Sequence, residues 1–79
     1  MTLFELTDPV AIQGNVEIKI FDGSGNEKES LFYRDQSTFI PRYEGCDELE
    51  DCEVLYIYPM KSYDGTPWLV IEITKDYDD

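Results

Sequence analysis

From Val16 to Phe21 apolar and polar residues alternate, with Val16, Ile18 and Ile20 on one parity and Glu17, Lys19 and Phe21 on the other. Successive strand side chains point to opposite faces of a sheet, so this pattern predicts a half-buried strand. Asp22, Gly23, Ser24, Gly25 and Asn26 follow, residues that tolerate positive φ or bond their own backbone. Glu27–Tyr33 then returns as a second strand, which predicts a β-hairpin.

Cys52 to Tyr58 is apolar on both parities, Val54, Tyr56 and Tyr58 against Leu55 and Ile57. Two-sided apolar character predicts a central strand, which Pro59 would end. A turn over Tyr63, Asp64, Gly65, Thr66 and Pro67 leads into a last strand, Trp68 to Thr74, and Lys75 to Asp79 is expected to fray.

Helical signals are short. Thr2 and Glu5 have capping-box spacing, and Asp8 followed by Pro9 repeats a helix start, with Gly14 as a stop. Residues 2–13 therefore read as one broken helix or two short turns, with Leu3, Phe4, Leu6, Val10 and Ile12 as the apolar side. Residues 34–46 have no period and contain Pro41 and Gly45, which predicts a loop; Asp47 can cap one helical turn, with Glu50 at the capping-box position.

These elements define a single α+β domain over residues 1–79. Its expected core is a small antiparallel sheet of about four strands, made of two hairpins, with the N-terminal helical turns on one face. Leu69, Ile71 and Ile73 are purely aliphatic, as are Leu55 and Ile57, while Tyr56, Tyr58, Trp68 and Val70 share the opposite parity with Glu72. If the helical turns cover the aliphatic face, the aromatic face is left partly wet, and Tyr and Trp there are typical interface anchors. Alternatively, the 34–46 loop folds over the aromatics as a lid.

Charge narrows the range of partners. The 79 residues carry 18 acids, six bases and no histidine, a net charge of −12. The hydrophobic fraction, 42%, is too high for a disordered acidic tail. A chain this short buries only about 60–65% of the surface its unfolded form exposes, so the core is thin. The bases Lys19, Lys28, Arg34, Arg42, Lys61 and Lys75 are scattered, so direct binding to nucleic acid or an anionic membrane is not expected. The natural electrostatic complement is a basic protein surface, unless the charge serves solubility alone. Six of the acids, Glu44, Asp47, Glu48, Glu50, Asp51 and Glu53, fall in one stretch without a base.

Catalytic and metal chemistry find little footing. Without histidine the commonest general base is missing, and Ser24, Ser30, Ser37 and Ser62 lie in no nucleophile motif. Asp22, Ser24 and Asn26 begin like a calcium loop, but its sixth position is Glu27 rather than glycine and its twelfth is Tyr33 rather than glutamate. Cys46 and Cys52 are half a zinc site at best. The residues give no basic start or long apolar run of about 18 residues, so no export signal or membrane span is expected, and the cysteines are expected as reduced thiols in a cytoplasm. The expectation is a non-enzyme with no metal and no cofactor.

The succession of Thr2 to Leu6, Val16 to Asp22, Glu53 to Pro59 and Leu69 to Ile73 resembles small proteins of Firmicutes phages and integrative elements. That resemblance implies a bacterial host cytoplasm and a mobile-element origin; no functional residue comes with it. Length, acidity and the run Pro67 to Ile71 are similar, more weakly, to the phage uracil-DNA glycosylase inhibitors, which imitate DNA with carboxylates and an apolar pocket. The resulting expectation is an acidic protein-binding module that inhibits a basic, nucleic-acid-binding host protein. Glu44, Asp47, Glu48, Glu50, Asp51 and Glu53 would supply charge, and Tyr56, Tyr58 and Trp68 the apolar anchors. The alternative is a self-assembling structural or accessory protein, a homodimer through a sheet edge or the aromatic face.

Overall fold

A computed structural model describes residues 1–76. The elements are α1 (Leu3–Thr7), β1 (Gly14–Phe21), β2 (Glu27–Gln36), β3 (Glu53–Lys61) and β4 (Pro67–Thr74), with 3-10 turns at Pro41–Glu44 and Asp47–Leu49 between β2 and β3. They form one four-stranded sheet in the order β2-β1-β4-β3. β1 pairs antiparallel with β2, and β3 with β4, but β1 and β4 are parallel. The expected all-antiparallel sheet is therefore mixed. Its cause is the crossover after β2, which lets β4 lie beside β1 in the middle of the sheet.

The central strand is also different from the one expected. β4, not β3, is buried on both faces, with Trp68 and Val70 on one side and Ile71 and Ile73 on the other. β3 is an edge strand, and it runs through Pro59 to Lys61. An edge position tolerates proline because the outward N–H has no ladder partner to lose. Between Val54 and Tyr56 the register with β4 shifts, leaving Leu55 as the extra residue of a bulge. The bulge inverts the parity upstream, so Val54 opposite Ile73 joins the core side shared by Ile57 opposite Ile71.

One face of the sheet carries the core. Val16, Ile18, Ile20, Ile71 and Ile73 pack with Leu3 from α1 and with Phe39, Cys46 and Leu49 from the segment after β2. Apart from Arg34, residues 34–46 thus do not close over the aromatic face, and Phe39 and Cys46 belong to the core on the aliphatic side. Arg34, Asp35 and Gln36 extend β2 instead of starting a loop. Phe39, fully buried, bonds its N–H to the Ile12 carbonyl at 2.7 Å, which seats this cover against the N-terminal segment.

The capping box at Thr2 and Glu5 forms as expected, with N–H donors at 3.2 and 2.9 Å from the reciprocal side-chain oxygens. The second signal does not start a helix: Asp8 is the C-cap of α1 and donates its N–H to Phe4. Gly14, at φ +96°, opens β1 rather than stopping a helix. The Asp47 cap fails too, since Cys46 stands at the N-cap position without a side-chain bond and Asp47 is inside the turn. The first hairpin turn is held by the Asp22 carboxylate, which accepts the N–H groups of Ser24 and Asn26 at 2.9 and 3.0 Å. Those bonds hold its pKa below the usual carboxylate range. At the chain end Lys75 donates its N–H to Phe21, so it is tied down; the fraying expected for 77–79 falls outside the described residues.

Candidate functional site

Among the described residues, no layer covers the second face of the sheet. Across it run Phe32 of β2, Glu17 of β1, Val70 of β4 and Tyr58 of β3, paired in register, and beside them Ser30, Lys19, Glu72 and Tyr56. Met60 stands opposite Trp68 at the neighbouring position. Val70 is fully buried by its neighbours alone, and Trp68 is 7% exposed, whereas Phe32 and Tyr56 are 60% and 67% exposed. Trp68 is therefore the floor of the face and not a protruding anchor.

That floor is pinned from two sides. The Phe32 ring meets Trp68 edge-on with centroids 5.7 Å apart, and the Arg34 guanidinium lies 4.9 Å from the Trp68 ring centroid. Asn15 ties the end of this face together, donating to the Pro67 carbonyl at 3.2 Å and accepting the Asp35 N–H at 2.9 Å. Glu17, Phe32, Arg34, Met60, Lys61, Ser62 and Trp68 line an open hollow of about 220 Å³. Further along, the Tyr58 hydroxyl donates to the Glu72 carboxylate, a bond that pushes the phenol up to about 12.

The acidic run is somewhere else. Cys46 and Leu49 turn into the core, so the residues around them point outward from the helical layer, on the side of the sheet away from Trp68. Glu44, Asp47, Glu48 and Asp51 are exposed and make no ion pair among the described residues. Glu50 accepts from Arg42 at 3.2 Å, and Glu53 from the Met1 amine. The fold thus brings Tyr56, Tyr58 and Trp68 onto one face with Glu53, opposite Thr74, at its end, but separates them from Glu44, Asp47, Glu48, Glu50 and Asp51. The unit imagined from the sequence, charges and anchors on one surface, is not assembled.

Phe32 and Met60 also belong to this face, outside the set that the sequence pattern points to. Extending the hairpin register from Glu17 would have placed Phe32 beside it, and continuing the strand past Pro59 would have placed Met60. The thiols of Cys46 and Cys52 are both free. Cys46 accepts from the Tyr33 hydroxyl and donates to the Pro41 carbonyl, and burial raises the pKa of both thiols. Both are poor nucleophiles in consequence. No family model, curated protein or solved structure matches this chain.

Proposed function

We propose that this chain is a non-enzymatic protein-binding module that docks a partner on the open face of its sheet. The observation that carries this reading is the exposed patch of Phe32 and Met60 beside a buried Trp68, continued by Tyr56 along β3, with no layer over it among the described residues. Aromatic residues and Met around a desolvated centre have the composition of interface cores. The net charge of −12 favours a basic partner by long-range attraction.

The narrower form is a mobile-element inhibitor of a host nucleic-acid-binding protein, working in the bacterial cytoplasm with carboxylates in place of phosphates. Its support is the group of exposed acids Glu44, Asp47, Glu48 and Asp51, which make no ion pair among the described residues. In that form the helical side faces the basic groove, and the aromatic face takes a second surface of the same partner or none.

A second reading, a homodimer through the open face, is favoured by the local charge. Glu17, Glu27 and Glu72 stand against Lys19 and Arg34 there, so two strongly acidic chains meet with less repulsion than between their helical sides. Capture from a bacterial lysate, repeated with two variants, tests the docking face. Loss of the captured protein on Phe32→Ser with Tyr56→Ser, and its retention on Glu48→Gln with Asp51→Asn, supports the open face. The reverse pattern supports the helical side and overturns the face. A doubled mass in light scattering, abolished by the aromatic pair, supports the homodimer.

A further inference from the structure

With six bases among 18 acids, a cation without a carboxylate is the unexpected case in this chain. Lys19, Lys28 and Arg42 pair with Glu27, Asp22 and Glu50 at 3.6, 3.6 and 3.2 Å. Lys75 is engaged as well. Arg34 and Lys61 close no ion pair among the described residues, and both border the cavity above Trp68. Two unpaired cations thus meet at one apolar hollow in a protein of net charge −12.

We propose that this cavity is a binding site for a small aromatic carboxylate. The ring packs among Phe32, Met60 and Trp68, and the carboxylate takes the guanidinium of Arg34 and the ammonium of Lys61. The Arg34 guanidinium lies over the Trp68 ring, 4.9 Å from its centroid, and the planar fork of such a group suits a bidentate carboxylate. Glu17 also lines the cavity, so the three charged side chains sum to one positive charge. The volume, about 220 Å³, lies below the range of about 300–1,000 Å³ typical of drug-sized ligands and suits a single ring with a short acidic arm. The site does not depend on the docking reading; it requires only the pocket.

Trp68 is the one tryptophan of the chain and forms the pocket floor, so its fluorescence reports occupancy directly. Phenylacetate is the probe, and phenylacetamide, with the same ring and no charge, is the control. Saturable change with phenylacetate is expected, with the amide weaker by about tenfold, the lower end for a charge-assisted hydrogen bond. Arg34→Gln and Lys61→Gln, each checked for an unchanged far-ultraviolet circular dichroism spectrum, should weaken the acid by a similar factor and leave the amide unaffected. No saturable change with phenylacetate overturns the proposal. So does equal binding of acid and amide, or a Lys61→Gln and an Arg34→Gln variant that both bind the acid as the parent does.

Discussion

The Arg34 guanidinium lies over the Trp68 ring, 4.9 Å from its centroid, at the open end of the sheet. A cation on an aromatic face at a partly exposed site is worth about 0.5–1 kcal/mol, and the arginine stem also shields the indole from water. Arg34→Ala should therefore lower stability by about that amount in urea unfolding and move Trp68 emission to longer wavelength. Arg34→Lys should recover only part of both, since an ammonium does not stack as a plane.

Phe39 and Phe32 form a second contrast. Phe39 is fully buried under the cover after β2, with the Tyr33 ring 5.2 Å away, and Phe32 is mostly exposed on the other face. Phe39→Ala should cost about 3–5 kcal/mol, comparable to the whole stability of many small domains. Phe32→Ala loses mainly its edge contact with Trp68, about 0.5–1.5 kcal/mol. Thermal unfolding of the two variants checks both; equal losses would mean the cover does not seal the core.

Much of the fold was legible before the structure, because the first hairpin announces itself twice. Val16, Ile18 and Ile20 fix the period, and Asp22 supplies a carboxylate that the turn backbone uses. The sheet order was not legible, since β3 and β4 both have apolar residues on each parity and local pattern does not say which is flanked. Only the crossover, a long-range fact, makes β4 central. The Leu55 bulge was hidden for a similar reason: alternation cannot register one extra residue in a run that is apolar on both parities. For the candidate site, Tyr56, Tyr58 and Trp68 were correctly grouped on one face. Of the acidic run only Glu53, opposite Thr74, follows them, whereas Cys46 and Leu49 anchor the rest of the run to the opposite side.

Tyr58 gives a dependence on pH. Its hydroxyl donates to Glu72, so the folded phenol sits at about 12, above the ordinary 10.0. A raised folded value means the bond contributes fully below the unfolded value and is lost as pH rises through the folded one. Stability should thus decline between pH 10 and about 12, and Tyr58→Phe should flatten that decline. Tyr33 is raised as well, by burial and by its bond to Cys46, so an absorbance titration of tyrosinate should show late-titrating groups in the parent and one fewer in Tyr58→Phe.

The exposed acids of the helical side repel one another. Changing Glu44, Glu48, Asp47 and Asp51 to their amides should raise the unfolding midpoint at low salt. The gain should shrink near physiological ionic strength, where the screening length is about 8 Å. A loss of stability would mean that one of these carboxylates holds a structural bond.

Hydroxyl-radical footprinting of the partner complex tests the docking face most directly, because aromatic and methionine side chains report their own exposure. Phe32, Tyr56 and Met60 mark the open face, and Tyr43, 74% exposed in the first 3-10 turn, marks the acidic side. The expected result is protection of Phe32, Tyr56 and Met60 on complex formation with Tyr43 unchanged. Protection of Tyr43 with the open face still reactive would contradict the account.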